Sequence, residues 1–264
     1  MKLVTLIENT TCREDLSYEH GLSLYLECRG KRILFDMGQT EQFAENAQKL
    51  GVDLSQVDIA VLSHGHNDHG GGLKRFLQCN DRATVYVHRD AFMPHFNKEN
   101  ADISLDSSLL ESGRIVLTEG STQLAPGLTL YSADGVKPAL PVDHAGLQML
   151  EQGILQPDDF RHEQYLLLEE NGKRVCISGC SHKGVINIAE HFRPHVLVGG
   201  FHFMKRDVCR DRDLLEMAAK RLLSYGTVYY TGHCTGQEQY AFLKERMKDK
   251  LHGLSTGTQL MFAL

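Results

Sequence analysis

Short apolar runs bounded by glycine or polar residues recur through the first half of the chain, and such runs are typical of buried β-strands. They predict strands at 3–7, 22–28, 32–35, 58–62, 83–87, 115–117 and 128–131. The second and third of these runs flank Arg29-Gly30-Lys31, which predicts a hairpin turn. Apolar residues at helical spacing predict a helix at 42–50, ended by Gly51, and another from Leu73 onward.

Strands and helices alternate in the second half of the chain. The pattern predicts strands at 164–168, 173–177, 195–198, 228–230 and 259–262, and helices at 185–192, 213–225 and 237–248. The first two strands flank Glu170-Asn171-Gly172, and Asn-Gly suits the positive φ angles of a tight hairpin turn. A strand-rich half followed by alternating strands and helices predicts an α/β protein with two β-sheets packed face to face and helices outside.

The regular pattern weakens in two stretches, near 90–113 and 133–158, which we interpret as irregular inserts. Long irregular segments in compact domains are usually lids or binding segments. No internal repeat and no linker rich in Pro, Gly or Ser divides the sequence. We therefore predict a single domain spanning residues 1–264, with both inserts shaping a pocket.

Composition and charge narrow the choice of partner. With 42% hydrophobic residues, the 264-residue chain can build a large core, but no apolar run approaches the ~20 residues that span a bilayer. A net charge of −6 without a basic run argues against nucleic acid as a partner. The first residues do not resemble an export signal, and seven cysteines without CxxC spacing suggest reduced thiols. We expect a cytoplasmic protein that acts on a small molecule and could form a homo-oligomer.

The strongest chemical signal is the segment 63–72, which lies between a predicted strand and a predicted helix. It contains four ligand-type side chains within six positions, namely His64, His66, Asp68 and His69. Residues two apart on an extended backbone point to the same side, so His64 and His66 are expected to converge. Imidazole and carboxylate are ligands that zinc accepts, and the flanking glycines let the backbone bend close to a cation. An isolated histidine is usually just solvated, but this spacing predicts a metal site.

The pattern HxHxDH after a strand resembles the metallo-β-lactamase superfamily. Four further segments, 34–38, 179–184, 199–202 and 231–236, are similar to those of its dihydropterin ribofuranosylaminobenzene phosphate synthase-like branch. The resemblance implies a four-layer αββα sandwich of two mixed β-sheets with one or two metal ions at one edge. It also implies that Asp36 orients a metal-binding imidazole from behind; the alternative is that Asp36 caps the following helix.

In that superfamily a bridging aspartate usually follows the strand that here leads to Gly179, but this chain has Cys180 in its place. A thiolate is a competent zinc ligand, while a buried free cysteine is often only a small apolar residue. Both interpretations remain open. We expect two divalent ions, with Zn²⁺ as the first choice and Mn²⁺ or Fe²⁺ as alternatives. We count Cys180 among their ligands.

The family's usual Gly-His-Thr segment is missing from this sequence, so its third ligand at the first ion must come from elsewhere. His182, His162 and Asp159 are the candidates, and we favour His182 because its motif is one that the branch shares. His233 follows a predicted strand between glycines, which suits a ligand that completes the pair Asp68 and His69 at the second ion.

Three residues are candidates for handling the substrate. His202 follows a strand and two glycines, and we interpret it as a pocket residue that binds substrate or moves protons. Lys183 could hold an anionic group such as phosphate as a point charge, although an ordinary solvated lysine fits as well. Asp68 is assigned a catalytic role in addition to metal binding.

These residues predict a metal-dependent hydrolase in which two ions lower the pKa of a bound water, and the hydroxide attacks a small anionic, phosphate-bearing or pterin-like molecule. The branch implies an alternative, a condensing enzyme that joins a pterin to a ribofuranosylaminobenzene phosphate. A redox protein with iron is a weaker alternative, because no flavin- or haem-binding segment is apparent. A metal-stabilised binding protein without catalysis is weaker still, because open ligands flanked by glycines are typical of active sites.

Overall fold

The computed structural model describes residues 1–263, which form two compact units. The first unit comprises Met1–Glu119, Gly146–Glu163 and Ser255–Ala263, and the second comprises Gly120–Ala145 and Gln164–Leu254. Each unit contains one seven-stranded mixed sheet and its own apolar core. The prediction of two mixed sheets with helices is confirmed, and the single-domain organisation stays a prediction.

The strands, in chain order, are β1 (Lys2–Ile7), β2 (Ser23–Cys28), β3 (Lys31–Phe35), β4 (Ile59–Val61), β5 (Thr84–His88), β6 (His95–Phe96), β7 (Ile115–Thr118), β8 (Ser121–Ala125), β9 (Leu128–Ser132), β10 (Gln148–Glu151), β11 (Ile154–Pro157), β12 (Gln164–Glu170), β13 (Lys173–Ile177), β14 (Val196–Val198), β15 (Val228–Thr231), β16 (Leu251–Gly253) and β17 (Gln259–Met261). The α-helices are α1 (Gln42–Lys49), α2 (Asn67–Gly70), α3 (Leu73–Cys79), α4 (Val185–Phe192), α5 (Arg212–Leu223) and α6 (Gln237–Met247). Among residues 1–263, none of these helices has the length and apolarity needed to cross a bilayer.

The sheet of the first unit has the order β17-β1-β2-β3-β4-β5-β7. Its first half is antiparallel, whereas β3, β4, β5 and β7 run parallel to one another. Apolar side chains of α1 and α3, including Phe43 and Phe76, are fully buried in the core of this unit. Because β3 and β4 are parallel neighbours, the residues that follow them emerge at the same edge of the sheet.

The sheet of the second unit has the order β16-β15-β14-β13-β12-β9-β8. Strands β13, β14, β15 and β16 are parallel, and the remaining pairs are antiparallel. Helices α4, α5 and α6 bury apolar residues such as Ile188, Leu222 and Leu243 in this core. The segments 179–184, 199–202 and 231–236 therefore leave the sheet side by side, at the carboxyl ends of β13, β14 and β15.

Both predicted hairpin turns are confirmed. Arg29 and Gly30 have φ angles of 51° and 72° between β2 and β3, and Asn171 and Gly172 have φ angles of 50° and 75° between β12 and β13. Two positive φ values are what a type I′ turn requires, and its twist matches that of the flanking strands.

The two stretches interpreted as irregular are more regular than the sequence indicated. Strands β10 and β11 form a hairpin, and β10 also pairs with the two residues of β6, which gives a small antiparallel sheet in the first unit. These strands are mostly half-exposed, so they lack the clear apolar alternation that identifies a strand. Short strands β8 and β16 were missed for a similar reason.

Candidate metal centre

The predicted metal-binding loop lies at the carboxyl edge of the sheet in the first unit. It leaves β4 at Ser63, directly beside Asp36, which follows β3. The rings of His64 and His66 are 4.6 Å apart between centroids, and those of His64 and His69 are 4.2 Å apart. All three imidazoles are buried. The structure therefore brings together the three histidines of the motif, including the pair His64 and His66, which their spacing predicted to converge.

Asp36 determines which nitrogen carries the proton in two of these rings, those of His64 and His69. Its carboxylate, which is fully buried, accepts hydrogen bonds from the Ser63 backbone N–H (2.6 Å), the Ser63 hydroxyl (2.7 Å) and Nδ1–H of His69 (2.7 Å). Since the one hydroxyl proton of Ser63 goes to Asp36, Ser63 Oγ accepts from Nδ1–H of His64 at 2.8 Å. Nε2 of both imidazoles consequently keeps its lone pair, which is the form that binds a metal.

His66 uses its other nitrogen. Its Nε2 is 3.6 Å from Oδ2 of the buried Asp158, just beyond hydrogen-bond distance, so a proton on Nε2 would point toward this carboxylate. Asp68 lies at the edge of the cluster, with Oδ2 3.7 Å from His69 Nε2 and 3.4 Å from Nε2 of His20. His20 is half-exposed and belongs to a part of the sequence that carried no motif.

The chemistry of the donors in this unit suits divalent ions. His64, His66 and His69 offer imidazole nitrogens and Asp68 offers a carboxylate oxygen, which are ligands typical of zinc and of other borderline divalent metals. Hydrogen bonds from behind fix the tautomers of His64 and His69, and such support is usual for metal-binding imidazoles. The sequence prediction that Asp36 lies beneath the loop agrees with these contacts.

The glycines after the loop meet a packing requirement that the sequence did not indicate. A Cβ on Gly71 would lie 2.6 Å from the carbonyl oxygen of Asn67 and closer still to that of Gln39. A Cβ on Gly72 would meet the carbonyl oxygen of Met37. These glycines allow two backbone segments to touch, which holds the metal loop against the turn that follows β3.

Gly71→Ala is therefore expected to destabilise the protein by about 1–3 kcal/mol, because a side chain forced into a packed site shifts the backbone. Gly135 provides a matched control, since a Cβ there would meet nothing within 4 Å and its φ is not positive. Urea denaturation should show a clear loss for Gly71→Ala and a change within about 0.5 kcal/mol for Gly135→Ala. Equal midpoints for both variants would contradict the close approach.

A second polar cluster in the first unit was not recognised in the sequence. It consists of His95, Asp158 and His162, all fully buried, beside His66. Burial alone would raise the pKa of Asp158, but the protons of His162, His66 and His95 hold it well below its ordinary value. Burial lowers the pKa of His162 to about 3, so this ring is neutral. The i, i+4 spacing of Asp158 and His162 was the one available signal.

The three candidates for the third ligand, His162, Asp159 and His182, differ in burial and in hydrogen-bond partners. His162 donates Nε2–H to Asp158 and accepts the Gly65 backbone N–H on Nδ1 at 2.9 Å, so both of its nitrogens are engaged. Asp159 is half-exposed and binds Arg161 at 3.0 Å. His182 belongs to the second unit, where it is buried.

Four predicted side chains of the second unit gather at the carboxyl edge of its sheet. Cys180 and His182 follow β13, His202 follows β14, and His233 follows β15. The rings of His182 and His202 are 4.4 Å apart, and the Cys234 thiol donates to the carbonyl oxygen of Cys180 at 3.5 Å. The structure thus groups these residues as the order of their motifs predicted, and their roles stay predictions.

The backbone at these strand ends is strained. Asp36, Ser181, His202 and His233 have φ angles of 60°, 58°, 56° and 48°, a region that residues other than glycine seldom adopt. Strain of this kind costs of order 1–3 kcal/mol per residue and is concentrated at functional sites. Its occurrence at three predicted residues, Asp36, His202 and His233, and at Ser181 between Cys180 and His182 supports a functional role for both sheet edges.

The second unit also contains a cavity of about 330 Å³ beside these residues. Its walls are mostly apolar, and its lining includes Leu140, Val185, Phe201, Leu214, His182 and His202. The cation in the lining is Arg206, which forms an ion pair with Asp143. Lys183 is half-buried next to His182 and does not line the cavity. The cavity size lies within the usual range for small-molecule sites.

Comparison with known proteins agrees with this geometry. The family model of the metallo-β-lactamase superfamily matches residues 19–233. The 7,8-dihydropterin-6-methyl-4-(β-D-ribofuranosyl)-aminobenzene-5′-phosphate synthase of Methanocaldococcus jannaschii is 28% identical over 276 aligned positions, which cover 92% of this chain and 90% of that protein.

Two solved structures show the same fold. Tm1679, described as a metal-dependent hydrolase of the β-lactamase superfamily, matches with a TM-score of 0.85 at 26% identity, covering 100% of this chain and 99% of that chain. Zinc-bound PqqB of Methylobacterium extorquens matches in fold alone, with a TM-score of 0.57 at 14% identity over 99% and 100% of the two chains. The chain is therefore an enzyme that belongs to the metallo-β-lactamase superfamily and has its α/β fold, as the motifs predicted.

Proposed function

We propose that the protein is a metal-dependent hydrolase that acts on a small anionic molecule. The observation that carries the proposal is the arrangement around Asp36, which leaves metal-binding lone pairs on Nε2 of His64 and His69. The hydrogen bonds to Ser63 and Asp36 hold these buried imidazoles in the tautomer and orientation that a metal ligand requires.

The proposed ligands in the first unit are His64, His66, Asp68 and His69. The same proposal assigns Cys180, His182 and His233 as further ligands, on the strength of their motifs and their position at strand ends. We propose two bound ions, with Zn²⁺ as the first choice and Mn²⁺ or Fe²⁺ as alternatives. When bound, such ions supply Lewis acidity and lower the pKa of a coordinated water.

The chain's own residues would bind and orient the substrate. The cavity of the second unit has apolar walls that suit a ring or another apolar group, while His182 and His202 provide polar contacts in its lining. We assign His202 to holding or moving a proton at the substrate. Arg206 or Lys183 would balance the negative charge of a phosphate-bearing or pterin-like molecule, Arg206 by exchanging its partner Asp143 for the substrate.

A condensing enzyme is the second candidate, and one observation favours it. The relative named as a synthase is similar over 92% of this chain, so the likeness is not confined to the metal loop. The two candidates differ in what they consume. A synthase requires both a pterin and a ribofuranosylaminobenzene phosphate and forms a product heavier than either, whereas a hydrolase converts one substrate into smaller products. Mass spectrometry of reactions with one or both compounds separates them.

His202→Ala is expected to lower turnover by about 10²–10⁴-fold, because a positioned proton-transfer group contributes that much. Metal content should stay unchanged, since we assign His202 to the substrate. His191 on α4 is exposed and provides the control, so His191→Ala should leave both quantities unchanged. Loss of metal in His202→Ala, or wild-type turnover, would contradict the assignment.

Ligand binding tests the substrate class. Calorimetric titration of 1-naphthyl phosphate, inorganic phosphate and a reduced pterin into metal-loaded protein should show binding of the ring-bearing anions, with inorganic phosphate weaker. Metal-depleted protein should bind them less tightly. The same affinity in both forms, or binding of none of the three, would favour an uncharged ester or amide substrate instead.

A further inference from the structure

Asp158 lies at the centre of the buried cluster in the first unit. Its Oδ1 accepts the backbone N–H of Phe160 at 2.8 Å, and its Oδ2 accepts Nδ1–H of His95 at 3.0 Å. Nε2 of His162 lies 3.1 Å from Oδ2 and 3.2 Å from Oδ1. Nε2 of His66 approaches Oδ2 at 3.6 Å. One carboxylate without solvent exposure thus faces three imidazoles.

The proton on each ring can be assigned from the hydrogen bonds. A backbone N–H can only donate, so the bond from Gly65 makes Nδ1 of His162 an acceptor and places the proton of this neutral ring on Nε2. A carboxylate can only accept, so His95 presents Nδ1–H to Asp158. The bonds from His95 and His162 hold the Asp158 carboxylate in place.

We propose that Asp158 is the positioning residue for His66, taking Nε2–H of this imidazole so that the lone pair on Nδ1 is directed to a metal ion. His95 and His162 hold the carboxylate in the orientation that this requires. Asp158 thereby does for His66 what Asp36 does for His69. This inference rests on the proposed function, because it requires His66 to be a metal ligand.

The same side chains are also close enough to bind an ion themselves, as His66, His95, Asp158 and His162 have potential donor atoms within 4.8 Å of one another. The proton assignment argues against that alternative. Nε2 of His162 carries a proton while Nδ1 accepts from Gly65, and an ion at Nε2 would leave this ring with no proton at all. A positioning carboxylate keeps the bonds of Asp158 to His95, His162 and Phe160, and it requires only that the 3.6 Å approach of His66 Nε2 shortens to a hydrogen bond when a metal ion binds.

A carboxylate behind a metal-binding imidazole fixes the ring and raises its basicity, and its removal usually lowers metal affinity by about 10–100-fold. Asp158→Asn keeps the shape of the side chain and removes the charge. We therefore expect the dissociation constant for Zn²⁺ to rise by about 10–100-fold, with the number of ions bound at saturation unchanged. Co²⁺-loaded protein should show a shifted visible absorption spectrum, which a purely structural role would not produce.

The matched control is Asp106→Asn, which makes the same change at an exposed N-cap residue that accepts the Ser108 backbone N–H, where asparagine serves equally well. It should retain the wild-type affinity and spectrum. Wild-type affinity in Asp158→Asn would overturn the inference. Loss of one bound ion at saturating Zn²⁺ would also overturn it, in favour of an ion within the cluster. If the wild-type protein binds no metal, the proposed function fails and the inference fails with it.

A second pair of variants tests the inference if Asp158→Asn does not fold. His95→Asn places an amide N–H close to the position of Nδ1–H and should keep near wild-type affinity for Zn²⁺. His95→Phe fills the space without a donor and should bind Zn²⁺ more weakly. Equal affinities for these two variants would contradict the role of the network in holding Asp158.

Discussion

His69→Ala is expected to lose bound metal and activity together. His69 is fully buried, its Nδ1–H is fixed by Asp36 at 2.7 Å, and its Nε2 lies 3.7 Å from Asp68. The imidazole is therefore held in one orientation and one tautomer, which favours metal binding. Since the groups that merely orient a ligand are worth 10–100-fold in affinity, loss of the ligand itself should weaken binding by more than ~100-fold.

Elemental analysis after gel filtration measures this effect directly. Wild-type protein should carry one to two equivalents of metal, as the family and the predicted ligands imply, and His69→Ala should carry a small fraction of that amount. His88, a buried imidazole at the end of β5, provides the control, and His88→Ala should keep its metal. Full metal content in His69→Ala, or equal loss in both variants, would contradict the assignment.

Asp36→Asn is expected to have the second largest effect, and it should affect both stability and metal binding. The carboxylate accepts three hydrogen bonds from Ser63 and His69, and an amide has only one acceptor oxygen. The NH₂ group would therefore face a buried donor. An unsatisfied buried polar group costs about 1–3 kcal/mol, and the loss of the group that orients His69 should lower metal affinity by about 10–100-fold.

Two measurements separate these consequences. Urea unfolding of metal-free protein reports the loss of hydrogen bonds alone, and Zn²⁺ titration of the folded variant reports the loss of orientation. Asp106→Asn is the control, because the exposed Asp106 accepts a bond from Ser108 at a helix N-cap, where asparagine serves equally well. If Asp36→Asn has the same unfolding free energy and the same Zn²⁺ affinity as Asp106→Asn, Asp36 does not orient the imidazoles for metal binding.

The local parts of this site could be predicted from the sequence, and the distant parts could not. The four ligand-type residues His64, His66, Asp68 and His69 lie within six consecutive positions, so their spacing alone places them close together. The hairpin turns were predictable for the same reason, because Asn-Gly and Arg-Gly determine the backbone within two residues. Asp36 was assigned through family resemblance, and the structure supplies the contacts with Ser63 and His69 that explain it.

The network around Asp158 had a single local signal, the i, i+4 spacing of Asp158 and His162, and none for His95. Asp158 and His95 are 63 positions apart, and both lie in stretches whose apolar pattern is weak because β6, β10 and β11 are short and partly exposed. Their meeting depends on the pairing of β6 with β10, which no local pattern determines. The sequence predicted glycines that let the backbone approach a cation, but it gave no sign that a Cβ on Gly71 or Gly72 would collide with backbone carbonyl oxygens of distant residues.

The central claim is that the loop after β4 binds metal through His64 Nε2, His66 Nδ1 and His69 Nε2. A crystal structure of metal-loaded protein with anomalous data collected at the zinc edge tests it most directly. The account predicts anomalous peaks about 2.0–2.1 Å from these nitrogen atoms, the usual Zn–N distance. A peak among His95, Asp158 and His162 instead, or no peak at the loop in protein that contains zinc, would contradict it.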